Sequence, residues 1–280
     1  MAKPTIANVA ELAGVSQATV SRALRGATNV TEETRIKVQR AADQLNFTLS
    51  KSASALASGK TMRVILLVSG KLNEWFNSGV LQGVYEELAP VGYDVTPAFI
   101  TDRSELDRFF SQLPKSRNAD AIIISSFQLM PAMRDQLQAI DLPTVGVNVP
   151  AESGYFDASI SIDNSSAMTM AVRLLRSLGH TNIAFCSDYI PADMVYNTSQ
   201  RTQAFADAAQ ATATDGITFS LLTADAHDAP LSKSDLASQL TAKLLSLPER
   251  PTAVCVETDQ VAIALVKELR KQQLNVPEDI

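Results

Sequence analysis

Several residue types that build catalytic and stapled proteins are scarce in this 280-residue chain, which has two cysteines, two histidines and one tryptophan. Cys186 and Cys255 lie inside the apolar runs IAFCSD and TAVCVET. Two such thiols are too few for a disulfide framework and read as buried, reduced residues. His180 and His227 are far apart, no Cys/His spacing suits a metal, and no nucleophile elbow is present, so no metal, cofactor or catalysis is expected. No apolar run approaches the roughly 20 residues that cross a bilayer, and the N-terminus lacks a signal peptide's apolar core. A cytoplasmic protein, with no membrane partner, is the expectation. SGKT at 58–61 ends like a phosphate-binding loop, but position 54 is Ser54 where that loop requires glycine, and no strand precedes it.

What is present is ample apolar material, 46% of residues, with 19% charged. This suits a small head and two further units with cores of their own. Charge is divided unevenly: the first sixty residues hold eight Lys/Arg against four acids, net +4, whereas the rest carries −10. Such a chain meets phosphate at one end only.

At that basic end, TIANVAELAGVSQATVSRAL reads as two short helices about a tight turn. Thr5 caps the first, with Ile6, Val9, Ala10 and Ala13 on its apolar face. Gly14 permits the left-handed turn, Val15 anchors it, and Ser16 caps the second helix. The inner face of the second helix is Val20, Ala23 and Leu24, and the outer face Gln17, Ala18, Ser21, Arg22 and Arg25. A third helix opens at Thr31 and continues through Ile36, Val38, Ala41, Ala42 and Leu45, with Glu32 and Glu33 at its positive end. This is the helix-turn-helix pattern. In a major groove Gln17 suits an adenine edge and Arg22 a guanine edge, while the hydroxyls of Ser16, Thr19 and Ser21 suit phosphates. An ordinary three-helix bundle capped by Ser and Thr is the bland alternative.

Beyond a Ser/Ala-rich stretch, β-rich runs at 63–68, 94–99, 121–125, 144–148, 183–187, 218–222 and 253–257 alternate with helical patterns. These lie at 75–90, 104–113, 131–139, 164–178, 198–211, 232–246 and 260–272. Alternation predicts doubly wound parallel sheets, with ligands at the carboxyl ends of the strands.

TIANVAELAGVSQATVSRAL resembles the signature of the lactose-repressor (LacI/GalR) family of bacterial regulators. NFTLSKSASALASGKT is similar to the family's hinge, MRVILLV to the first strand of its effector domain, and LNEWF stands at its Asn-Pro-aromatic-aromatic motif. SIDN, LGHTNIAF, RTQAF, PTAVCVETDQVA and LNVPEDI match further landmarks in order. The resemblance implies an all-α head at 1–48, a hinge at 49–61 and a two-lobed periplasmic-binding-protein-like effector domain at 62–280. The lobes would divide at about 162/163. It implies a homodimer or tetramer on operator DNA, and hinge segments that become helical there and press Leu56 into the minor groove. Leu49 stands where the family commonly has proline. Thr5, Asn29, Thr31, Thr34, Ser50 and Ala53 complete the DNA-facing set.

The implied effector residues lie past strand ends: Asn73, Trp75 and Phe76, then Ser125, Asn148 where the family has Asp, Arg201, and Thr258-Asp259 at its Asn-Asp pair. Phe76 equally suits a helix start that caps the core, and Asp259 a first-turn acid. PEDI at 277–280 matches the motif before another strand, so a parent of roughly 330 residues is expected. The function implied is repression of carbohydrate genes under control of a small molecule, a sugar by expectation. The alternatives are a purine-responsive regulator, or a solute-binding or sugar-processing protein sharing the body.

Overall fold

The computed structural model describes residues 4–48, 59–116, 118–149, 156–189, 196–212, 216–226 and 231–280. The head is three helices: α1 (Ile6–Ala13), α2 (Gln17–Leu24) and α3 (Glu32–Gln44). Thr5, Ser16 and Thr31 each cap the helix that follows, their side chains accepting the backbone N–H of Asn8, Thr19 and Thr34. Gly14 ends α1 at φ 65°, the turn the pattern requires. Val9, Ala13, Val20, Val38 and Ala42 close one core, with Leu24 and Leu45 packed at its edge. One expectation fails here: Ile36 is 45% exposed beside exposed Leu12, because α3 turns only Val38, Ala41 and Ala42 fully inward.

The body begins with β1 (Arg63–Ser69), α4 (Trp75–Leu88), β2 (Asp94–Ile100), α5 (Arg103–Ser116) and β3 (Ala121–Ser125). Then come α6 (Pro131–Ala139), β4 (Thr144–Val147), β5 (Ala158–Ile160), α7 (Asn164–Ser177) and β6 (Asn182–Ser187). It closes with α8 (Asn197–Ala211), β7 (Thr218–Thr223), α9 (Lys233–Leu245), β8 (Ala253–Val256) and α10 (Asp259–Lys271). Two all-parallel sheets result, ordered β2-β1-β3-β4-β5 and β7-β6-β8. Each of the seven expected strands is present. The eighth, β5, is three exposed residues paired with β4, too short and too solvated to show a period.

In the first sheet β1 lies between β2 and β3 and is buried from Val64 to Val68, as a strand covered on both faces must be. The edge strand β2 tolerates Pro97, whose missing N–H faces no neighbour. Helix α5 runs one turn past its expected end, through Pro114, whose lost donor falls in the last turn. In the second sheet Ala184, Cys186 and Leu222 pack against α9 and α10, while Ile183, Phe185 and Phe205 pack with α7 and α8. Cys186 and Cys255 therefore face opposite sides of one sheet. Burial first of all pushes the Cys186 thiol up to about 12 and the Cys255 thiol up to about 11.

Gly146, inside β4, has no room for a side chain: a Cβ there would lie 2.6 Å from Val149 Cγ2 and 2.8 Å from Phe156 Cδ2. Gly146→Ala should cost about 1–3 kcal/mol through overpacking. A urea midpoint unchanged from wild type would contradict this packing.

Candidate DNA interface and effector cleft

On the head, α2 presents exposed Ser16, Gln17, Ala18, Arg22 and Arg25, with Thr19 and Ser21 half-buried. Ser16 Oγ lies 2.9 Å from Thr19 Oγ1 and accepts Thr19 N–H at 3.1 Å. Thr31 and Thr34 repeat the pair at the start of α3, with their hydroxyls 2.8 Å apart. These hydroxyls are already paired with one another, so their positions are set before any phosphate arrives. The Arg22 Nε donates to Ala18 O at 3.2 Å, laying the guanidinium along its own helix. The sequence reasoning missed Arg35: it donates to Ala27 O at 3.1 Å and pairs with Glu32 at 3.3 Å, bracing the loop that carries exposed Asn29. Thr5 is exposed at the start of α1. Ser50, Ala53 and Leu56 lie outside the described residues.

The carboxyl ends of the strands carry the second constellation. Ser125, the last residue of β3, is fully buried and Ser126 just past it holds φ 71°; past β4, Asn148 holds φ 54°. Two non-glycine residues in the left-handed region on neighbouring strands mark a place where the surroundings dictate the backbone. A continuous run of hydrogen bonds starts there. Asn148 Nδ2 donates to Ser126 Oγ at 3.1 Å, and Asn148 Oδ1 accepts from Asn197 Nδ2. Asn197 Oδ1 accepts from Asn164 Nδ2 at 2.8 Å, and Asn164 Oδ1 from Arg201 Nε at 3.2 Å. Arg201 Nη1 ends the run on Glu257 O at 2.6 Å.

The run leads from the first sheet through the first residues of α7 and α8 to the end of β8 in the second sheet. Asn197 N–H also donates to Ser126 O at 3.0 Å, and Phe127 bridges Tyr196 beside it. Of the expected effector residues, Asn148 and Arg201 belong to this run, Ser125 adjoins it, and Thr258 follows Glu257. It does not take in Asn73, Trp75, Phe76 or Asp259. Asn73 and Asp259 are exposed; Trp75 is 64% exposed, its ring edge-on to half-buried Phe76 at 5.7 Å. Buried Asn77 holds the loop before them, donating to Ser69 O at 2.8 Å and Lys71 O at 3.1 Å.

Ser126, Asn164, Asn197 and Glu257 were missed. Asn164 and Asn197 gave one faint signal, an amide opening a helix just after a loop. Glu257 is 7% exposed, and burial pushes its carboxyl up to about 6. The N–H of Asp188 opposes that rise, the charge of Asp188 adds to it, and Lys233 and Arg201 oppose it. Among the described residues no group of His, Cys, Asp and Glu is arranged to hold a metal, and no helix is long and apolar enough to cross a membrane.

Residues 5–50 match the family model for bacterial regulatory proteins of the lacI family, and 172–280 that for a periplasmic binding protein-like domain. The chain is 30% identical to a Vibrio cholerae serotype O1 protein named HTH-type transcriptional repressor PurR, over 99% of this chain and 79% of that one. The chain belongs to the lacI family. This lacI-family chain is therefore a DNA-binding transcriptional regulator with a ligand-binding domain, and both halves of its fold are the family's.

Catabolite control protein A of Priestia megaterium is 27% identical over 99% of this chain and 80% of its own length. The lac repressor dimer, solved with operator and the anti-inducer ONPF, superposes with a TM-score of 0.80 at 22% identity, covering all of this chain and 81% of that one. A regulator called CelR, solved with cellobiose, gives 0.60 at 26% identity over 99% and 80%.

Proposed function

We propose that this lacI-family regulator is a cytoplasmic repressor that binds a pseudo-palindromic operator as a homodimer and is gated by a small carbohydrate in the body. The observation that carries the reading is the hydrogen-bonded run from Ser126 to Glu257, which ties the two sheets together at their carboxyl ends. A ligand with several hydroxyls entering there would exchange those bonds for its own and so change how the sheets sit on each other. The cellobiose bound by the CelR relative supports a sugar as the class of effector.

On the DNA side, Gln17, Ala18 and Arg22 would read base edges, while Ser16, Thr19, Ser21 and the Thr31–Thr34 end of α3 would hold phosphates. A thermal-shift screen of mono- and disaccharides, with purine bases as the second class, tests the effector. A specific ligand raises the midpoint by mass action. The reading expects a sugar to do so and to change retardation of an operator selected from random duplexes. A purine hit would transfer the effector to the second class, and selection of no duplex would remove the regulator reading.

Arg22→Ala should weaken binding to the selected operator by about 1–3 kcal/mol at one base position, leaving random duplex nearly unaffected. Among the described residues the Arg22 guanidinium has the Ala18 carbonyl bond to release before reaching outward. Equal losses on both duplexes in a competition gel shift would make Arg22 a phosphate contact instead.

A further inference from the structure

We propose that Asp120 is a positioning residue for regulation: its carboxylate clasps Thr61 and Met62 and so ties the exit of the linker to strand β3. Oδ1 accepts the Thr61 N–H at 2.7 Å and the Thr61 hydroxyl at 2.9 Å, and Oδ2 accepts the Met62 N–H at 3.0 Å. Burial alone would raise the Asp120 carboxyl; the donors at Thr61 and Met62 outweigh it and hold it below the usual carboxylate range. Bonds to a charged acceptor are the strong ones.

The backbone completes the fastening. Asp120 N–H donates to Arg63 O at 2.8 Å, and Asp94 N–H to Met62 O at 2.9 Å. Residues 61–62 are thereby held to both neighbours of β1. The path is sharply bent, with Gly59 at φ 70° and Met62 at φ 53°, the latter a conformation that a methionine keeps only where its surroundings impose it.

The clasp matters because of what lies at the other end of the same strand. β3 runs from the clasp to Ser125, and Ser126, at its far end, begins the run of bonds in the effector cleft. A strand of this length spans about 17 Å as a stiff, doubly paired rod. A displacement of β3 by a ligand therefore arrives at Thr61, which in the sequence directly follows the linker and precedes β1. This rests on the proposed effector-gated reading.

A second Asp–Thr clasp supplies the control. Asp157 Oδ2 accepts the Thr144 N–H at 2.7 Å and hydroxyl at 2.9 Å at the start of β4, on the same edge of the same sheet but away from the linker. The experiment uses the full chain as wild type, Asp120→Asn, Thr61→Val and Asp157→Asn. It follows tryptic cleavage after Lys60 by mass spectrometry, hydrogen exchange of residues 59–63, and the affinity ratio between a selected duplex and a random duplex pool.

Asp120→Asn sets an amide N–H against the Met62 donor. It should speed Lys60 cleavage and local exchange about tenfold, and lower the affinity ratio about fivefold. Thr61→Val, which loses one bond, should move cleavage in the same direction by less. Asp157→Asn should lower the urea midpoint comparably and move none of the three readouts. Wild-type cleavage in Asp120→Asn, or equal effects from Asp157→Asn, would overturn the clasp. If wild type selects no duplex, the regulator reading falls, and cleavage with exchange still decides the clasp.

Discussion

Arg201→Ala is expected to abolish the response to whichever small molecule stabilises the wild-type protein. Its guanidinium is half-buried at the start of α8 and spends two donors on fixed acceptors, Asn164 Oδ1 and Glu257 O, leaving its remaining N–H groups for a ligand. Truncating one side of a desolvated, hydrogen-bonded charge costs about 2–5 kcal/mol, or roughly 30- to 5,000-fold in affinity. The loss has two parts: contacts to the ligand disappear, and Asn164 and Glu257 lose the donor that orients them. Arg201→Lys separates the parts, because it keeps the charge but not the fork. Titration calorimetry should show no binding by the alanine variant and weakened binding by the lysine variant, with affinity for the selected duplex in the absence of ligand close to wild type. Wild-type ligand affinity in Arg201→Ala would remove this cleft from consideration as the effector site.

Glu257→Gln is expected to stabilise the protein at neutral pH. With an ordinary carboxyl at 4.5 when unfolded and about 6 when folded, Glu257 binds protons more readily in the native state. Stability therefore falls as pH rises from about 4.5 to about 6, and the full loss persists above that range. The displacement corresponds to about 2 kcal/mol. Glutamine keeps an oxygen for the Asp188 N–H and carries no charge to desolvate. Its advantage should be about 2 kcal/mol at pH 7.5 and vanish near pH 4.5, read from urea midpoints at both pH values. A variant less stable than wild type at pH 7.5 would mean that Lys233 and Arg201 compensate the buried charge more fully than its burial penalises it.

The head was legible because caps, a glycine turn and 3.6-residue spacing are local; the outward turn of Ile36 escaped, since periodicity does not say how wide a helix's buried stripe is, and so did Arg35, whose Ala27 partner is eight residues away. Alternation likewise placed the seven longer strands, and β5 was lost because three residues show no period. The cleft was less legible. Asn148 and Arg201 came from family resemblance, whereas Asn164, Asn197 and Glu257 act only through partners 33 to 56 residues away in the chain. Nothing local marks an asparagine as one link of such a run. Asp120 has the same character: it is an ordinary acid before a strand until the fold brings Thr61 to it across 59 residues.

The opposite-facing thiols of the second sheet make this protein convenient for spectroscopy. Burial pushes the Cys186 thiol up to about 12 and the Cys255 thiol up to about 11, which disfavours the reactive thiolate at neutral pH, and the two side chains pack on opposite faces of the sheet. A maleimide dye would pass both by and react with a cysteine introduced at the surface. Dye pairs placed on the two sheets would then test whether the proposed effector moves one relative to the other, in a protein whose native thiols are left in place.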